Sequence, residues 1–320
     1  MFKALLAVLC LVISVQAAAT FSISACDEDA CGVAVATNNL AVGATVPYAE
    51  AGVGAVATQF ETNPNYGPRG LALLGSGNAP ERALATILSK DGNFEGTGTG
   101  FRQVAVVAPH SAPAIFTGRE ALASRWAGGL TGSNYAIIGN GLVSENVLAA
   151  MEKAFKQSTG APLAMRLMVA LEAGQAAGGQ FTGAMSAALL VRTNAGGFAD
   201  TDLRVDAARE PTRELRRLLD LGRAHTAMLQ AERAARDGRP REAHDRLAEA
   251  LQLGSSWDRI LRRAARLAMS LHEPDRAACL LVQFKKLNKA WGEIEIEDEM
   301  YESLRQSTSP KDCRGESLEK

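Results

Sequence analysis

The sequence predicts an α+β fold: a four-layer αββα sandwich followed by an all-α helical-repeat domain. Three observations predict it. Between residues 20 and 210, short apolar, β-branched runs alternate with two pairs of helix-period segments. After Pro211 strand signals vanish and Ala, Leu, Arg and Glu dominate. That last third also repeats at 34 residues, matching Pro240 with Pro274, Ala243 with Ala277, Leu247 with Leu281 and Trp257 with Trp291. Two helix pairs separated by strands can cover two stacked sheets from outside. A single sheet with helices on both faces fits the periodicity nearly as well.

The chain has 320 residues and a net charge of −1, so its size allows two domains and its charge points to neither nucleic acid nor an anionic membrane. Lys3, the apolar run Ala4 to Val15, and the small residues Ala17 and Ala19 form a signal-peptide pattern. The run is short for a membrane span, and Cys10 within it lacks a small-residue context for lipidation. A retained anchor is the weaker alternative. The expected domains are a signal peptide (1–19), the sandwich (20–210), a helical domain (211–306) and a polar tail (307–320). The expected destination is the periplasm or the extracellular space.

Cleavage after Ala19 makes Thr20 the first residue. A threonine there carries a nucleophile and a base together: the hydroxyl attacks a carbonyl and the α-amine takes the proton. With a pKa of roughly 7.7–8.0, much of that amine is an unprotonated base near neutral pH. Every exported chain begins with some residue, however, so Thr20 gains weight only from the other residues of the chain.

Phe21 to Ala25 and Gly32 to Ala36 read as strands joined by an acidic turn, and Val42 to Val46 and Val53 to Thr58 as further strands. Gly52-Val-Gly54 resembles a dinucleotide loop only superficially, because no helix start or later acid accompanies it. A short helix is expected at Leu71 to Leu74, and another from Pro80 and Glu81 with Leu84, Ile87 and Leu88 on one face. Val104 to Ala108, Ala114 to Thr117 and Tyr135 to Ile138 read as strands. Val147, Leu148, Met151 and Phe155 mark one helix, with Ser144 as a candidate cap, and Leu163, Leu167 and Leu171 mark the next. Met185 to Val191 has the pattern of a strand covered on both faces, and Leu203 to Asp206 closes the domain.

The mature chain keeps Cys26, Cys31, Cys279 and Cys313. Cys26 and Cys31 flank the acidic turn at positions that can face one another in a hairpin, so a disulfide is the first choice and free thiols the second. Neither a metal nor a cofactor is expected, since no second Cys or His pair accompanies them. The histidines His110, His225, His244 and His272 form no cluster.

Many collinear motifs carry a family resemblance across about residues 20–220. They include Thr20-Phe-Ser-Ile, Gly32-Val-Ala-Val-Ala36, Ala51-Gly-Val-Gly-Ala-Val-Ala-Thr-Gln59, Asn63-Pro-Asn-Tyr-Gly-Pro-Arg-Gly-Leu71, Arg102-Gln-Val-Ala-Val-Val107, Gly139-Asn140 and Asp202-Leu-Arg-Val-Asp206. Together they resemble the domain-of-unknown-function family numbered 1028, which is assigned to the N-terminal nucleophile (Ntn) hydrolase superfamily. The resemblance implies the four-layer sandwich and amide hydrolysis at Thr20 through an acyl-enzyme, with no substrate specified. The last third lies outside it, and its helix pairs are similar to tetratricopeptide repeats.

Within that reading Asn140, or a backbone N–H near Gly139, is the candidate oxyanion donor, and Asn38 or Asn39 the second. Arg69 and Arg204 are candidates to bind a substrate carboxylate. Each has a plainer alternative: a turn conformation for Asn140, a loop tether for Arg69, and a pairing of Arg204 with Asp202 or Asp206. The expected partners are a small amide or peptide-like substrate and a protein bound through the helical repeats. The competing reading is a non-catalytic scaffold.

Overall fold

A computed structural model describes residues 19–305. The signal-peptide segment up to residue 18, Cys10, Cys313 and the polar tail lie outside the described residues. The chain divides into two compact units between Leu215 and Arg216.

In the first unit the order is β1 (Thr20–Cys26), β2 (Ala30–Thr37), β3 (Pro47–Glu50), β4 (Gly54–Phe60), α1 (Tyr66–Gly75), α2 (Pro80–Ser89), β5 (Arg102–Val107) and β6 (Ala114–Thr117). There follow α3 (Arg119–Leu122), β7 (Gly128–Gly132), β8 (Tyr135–Asn140), α4 (Asn146–Gln157), α5 (Leu163–Ala176), β9 (Ser186–Thr193) and β10 (Thr201–Val205). The strands form two antiparallel sheets, one ordered β10-β9-β2-β1-β8-β7 and one ordered β3-β4-β5-β6.

Strand alternation sets the layers. Val33, Val35, Ala136 and Ile138 of the larger sheet share a buried cluster with Ala55, Ala57, Ala105 and Val107 of the smaller one, so the sheets face each other. Val56, Val104 and Val106 point outward and meet Tyr66, Leu74, Ala83, Leu84 and Ile87 of α1 and α2. On the outer face of the larger sheet, Gly174 of α5 leaves room for Phe21 and for Met151 of α4: a Cβ there would stand 3.2 Å from Phe21 Cε2 and 2.9 Å from Met151 Sδ.

Two local expectations are corrected, and one strand has no counterpart among them. Val42–Ala44 is a 3-10 turn, and the strand begins at Pro47. Ala41 takes a left-handed φ of 54° there, and Val42 N–H donates to Ser186 Oγ at 3.1 Å, so this backbone finds its partners outside any ladder. Helix α1 starts at Tyr66, five residues before Leu71. Strand β7 is glycine-rich and carries little β-propensity, but Gly129 lies so close to β8 that a Cβ would fall 3.0 Å from Ile137 O.

The first hairpin is closed by a Cys26–Cys31 disulfide, with Cα atoms 4.1 Å apart at directly paired positions. Asp27 Oδ1 holds the turn by accepting N–H bonds from Asp29 and Ala30 at 3.0 and 2.8 Å.

The loop before β5 is organised by a buried ion pair. Arg102 Nε donates to Asp91 Oδ1 at 2.8 Å, and its terminal nitrogens reach Glu61 O, Thr97 Oγ1, Thr97 O and Phe94 O. Asp91 also accepts from Tyr66 Oη at 2.5 Å and Asn63 Nδ2 at 3.3 Å. Burial pushes the Asp91 carboxyl up, but bonds from Arg102, Tyr66 and Asn63 together with the guanidinium charge outweigh it, and its pKa lies below the ordinary carboxylate value.

The second unit contains the remainder of α6 (Pro211–Arg236), then α7 (Pro240–Gly254), α8 (Asp258–Ser270), α9 (Pro274–Leu287), α10 (Lys289–Glu295) and α11 (Glu302–Arg305). Pro240 and Pro274 each open a helix, where a missing N–H leaves no bond unmade. Ala243 with Ala277 and Leu247 with Leu281 are buried at matching places. The match breaks at α10, where Trp291 lies inside a short helix while Trp257 precedes α8. Glu295 is buried among these helices and is held by Arg262 and Arg266.

Asp91→Asn leaves Arg102 buried without its counter-charge, so a loss of about 3–5 kcal/mol is expected in denaturant unfolding. The wild-type carboxylate contributes fully above the unfolded value near 3.9. That contribution disappears as pH falls through the lower folded value, and the variant should lack this acid-side loss. Parallel stability curves for the two proteins between about pH 5 and 2 would contradict the assignment.

Candidate active site

Strand β1 lies inside the larger sheet, and its first residue is flanked on both sides: Thr20 pairs with Thr37 of β2 and with Asn140 of β8. Alternation sends Phe21 and Ile23 to the helical face and Thr20, Ser22 and Ser24 toward the smaller sheet. A polar inner face in a sandwich needs polar partners, because a buried group without one costs about 1–3 kcal/mol. At this end of the sandwich they are Gln59 of β4, Gln103 of β5, Asn140 and Thr37, all buried.

The amide orientations are fixed by one side chain. Gln103 Nε2 lies 2.9 Å from Gly139 O and 3.2 Å from Gly128 O, both of which can only accept. Gln103 Oε1 therefore faces the other way, where it accepts from Gln59 Nε2 and Asn140 Nδ2, each at 2.8 Å. Gln59 Nε2 also reaches Thr20 O at 3.3 Å, and its Oε1 accepts from Ser22 Oγ at 2.8 Å. Asn140 is left with Oδ1 directed at the Thr20 nitrogen, 3.1 Å away.

The hydroxyls are ordered by the same logic. Thr37 Oγ1 donates its single proton to Ala19 O at 2.7 Å and accepts the Asn39 N–H at 3.3 Å. In its 3.1 Å contact with Thr20 Oγ1, the Thr20 hydroxyl must be the donor. The lone pairs of Thr20 Oγ1 stay available, and every group in hydrogen-bond contact with Thr20 is neutral.

Of the sequence candidates, Thr20 and Asn140 are brought together, with Asn140 Oδ1 facing the Thr20 nitrogen. Its Nδ2 donates one N–H to Gln103 Oε1 at 2.8 Å and its Oδ1 accepts from Thr20 N at 3.1 Å, so in this arrangement it orients the nitrogen. The donor to the carbonyl beside Thr20 is the Thr37 hydroxyl. Asn38 lies in the exposed turn immediately after Thr37. Arg69 is not brought to Thr20: it sits on α1, outside the smaller sheet, with Nη1 3.5 Å from Lys90 O. Arg204 is on β10, bound to Asp206 through Nη2 at 2.9 Å. Cys26 ends β1 away from Thr20, paired there with Cys31 of β2. Thr37, Gln59 and Gln103 are new to the site. Their signal is a lone polar residue in the inward register of an otherwise apolar strand. Among the described residues no group of three or more His, Cys, Asp or Glu is placed to hold a metal ion.

Gln103→Glu tests the polarity. Only the protonated acid can donate to Gly139 O while accepting from Gln59 and Asn140, so the folded state should raise its pKa. Relative to wild type, the variant is expected to be most stable in acid and to weaken as pH rises past the unfolded value near 4.3. A stability difference independent of pH from about 4 to 8 would contradict the assigned orientation.

A family of unknown function, DUF1028, matches residues 20–215. Among solved structures, the crystal structure of protein SPO2555 from Silicibacter pomeroyi, which carries the same family description, is 32% identical with a TM-score of 0.56 and aligns over 63% of this chain and 84% of its own. A search of curated proteins finds no match. The match spans the first compact unit, from the first residue of β1 to the unit's last residue, and the chain belongs to the DUF1028 family.

Proposed function

We propose that the processed protein is an exported hydrolase of the N-terminal nucleophile type, which cleaves an amide through Thr20. The observation that carries this reading is the setting of Thr20 at the head of an interior strand. Its nitrogen faces Asn140 Oδ1 at 3.1 Å, and its hydroxyl, a donor to Thr37, keeps its lone pairs free. Two facing sheets with helix pairs outside support an N-terminal nucleophile sandwich, and the Cys26–Cys31 bridge supports an oxidising compartment. The 34-residue match in the second unit supports a tetratricopeptide-like helical region.

Removal of the residues before Thr20 turns its amide nitrogen into an amine in the same place. The Thr20 hydroxyl turns its proton from Thr37 Oγ1 to the amine, which takes it as Oγ1 attacks the substrate carbonyl carbon. Thr37, which now donates to Ala19 O, is placed to donate to the developing oxyanion. The amine then passes the proton to the leaving nitrogen as the C–N bond breaks, and an acyl ester remains on Thr20. Water adds to that ester and releases a carboxylic acid and the free hydroxyl.

Intact mass of the exported protein is expected to place Thr20 first. On any amide that the protein turns over, Thr20→Ala should abolish hydrolysis and Thr20→Ser should retain part of it. Thr37→Val should lower kcat by about 10²–10³, the effect of removing one oxyanion donor. Equal turnover by Thr20→Ala and wild type would eliminate Thr20 as the nucleophile.

A further inference from the structure

Strand ends determine what surrounds Thr20. The start of β1, the end of β2 at Thr37, the end of β8 at Asn140 and the start of β9 at Ser186 all meet at one edge of the larger sheet. The loops leaving that edge carry a concentration of large apolar side chains in solvent: Leu40 at 68% exposure, Phe181 at 45%, Met185 at 40% and Val143 at 37%. Backbone bonds fix these loops to one another and to the strand ends beside Thr20. Met185 N donates to Thr37 O at 2.7 Å, Phe181 N to Gly141 O at 3.2 Å, and Val143 N to Gly179 O at 3.1 Å. Leu40 follows Asn39, whose N–H bonds Thr37 Oγ1 and whose carbonyl accepts from Ser186 Oγ at 2.6 Å. Apolar side chains gathered at one edge in this way mark a surface that binds something.

Ala19 shows which part of a substrate would lie there. Its carbonyl oxygen receives the Thr37 hydroxyl, so the rest of Ala19 stands on the acyl side of the carbonyl that Thr20 would attack. That side runs along Gly141, which has a left-handed φ of 57°, and where a Cβ would come within 2.5 Å of Ala19 Cβ and 3.8 Å of Phe181 Cε1. A path of bare backbone therefore leads from the reacting carbonyl to the Phe181 ring. Arg125 lies over that ring, 5.5 Å from its centroid.

We propose that this edge is the acyl subsite and that the substrates are N-acyl amides with an apolar chain of medium length, laid from Gly141 across Phe181 toward Met185, Val143 and Leu40. The proposal rests on the reading of Thr20 as nucleophile and adds the substrate class to it. Each methylene taken out of water should improve kcat/KM about fourfold until the patch is covered.

The test uses protein that begins at Thr20, with 4-nitroanilides of acetate, butyrate, hexanoate and octanoate. A rise in kcat/KM from acetyl to octanoyl is expected, and Phe181→Ser should reduce the octanoyl-to-acetyl ratio at least tenfold. Titration calorimetry of octanoate into Thr20→Ala reads the subsite without catalysis: binding is expected, and the Thr20→Ala, Phe181→Ser double variant should lose it. Acetyl hydrolysed as well as octanoyl, with no octanoate bound, would overturn the subsite and leave Thr20 in place. If no anilide is hydrolysed, calorimetry alone decides the subsite: octanoate binding that the double variant loses supports it, and absence of binding overturns it. Sedimentation showing a wild-type dimer that Phe181→Ser dissociates, with an unchanged chain-length ratio, would mean that the patch covers a second copy and would also overturn it.

Discussion

One buried amide orders the centre of the first unit. Gln103 is held by two carbonyl oxygens that can only accept, so its own oxygen must face Gln59 and Asn140. That single choice sets the direction of Asn140 Oδ1 toward Thr20, the bond from Gln59 to Thr20 O and the acceptor offered to Ser22. Such a chain is high-stakes: fully satisfied it specifies one arrangement, and a reversed member leaves several groups unpaired in a dry interior. The inter-sheet space thus has two characters. It is apolar around Val33, Ala57 and Val107 and polar around Thr20, with little room for compromise at the polar end.

Neighbouring residues on β5 divide the task of fixing this arrangement. Arg102 and Gln103 point to opposite faces, as successive strand residues must. Outward, Arg102 grips Asp91 and the carbonyls of Glu61, Phe94 and Thr97, which holds the long glycine-containing loop before the strand. Inward, Gln103 holds the amide chain. The ion pair therefore sets the strand that places the amide, and the amide places the nitrogen of Thr20.

Much of this architecture is written in the sequence as period. Alternation in Phe21 to Ala25 and Gly32 to Ala36, and helical spacing in Val147 to Phe155, correspond to β1, β2 and α4. Strand β7 is not legible, because Gly128-Gly-Leu-Thr-Gly132 is chosen for close approach to β8 and not for intrinsic preference. Val42 to Val46 misleads for the opposite reason: β-branched residues occupy a turn whose bonds come from distant Ser186 and Asp206. At the site, Thr20 is visible from the small-residue stretch before it, while Thr37, Gln59 and Gln103 become a constellation only once two sheets bring distant positions together. Asn140 is legible as a position but not in its orientation, which depends on which end of its amide Gln103 claims.

Covalent trapping tests the central claim most directly. Protein that begins at Thr20, treated with an acylating β-lactone and digested, should carry one added acyl mass on the peptide that starts with Thr20, bonded at Oγ1. Thr20→Ala should take up none. An adduct on any other residue, or equal labelling of Thr20→Ala, would contradict the assignment of Thr20 as the nucleophile.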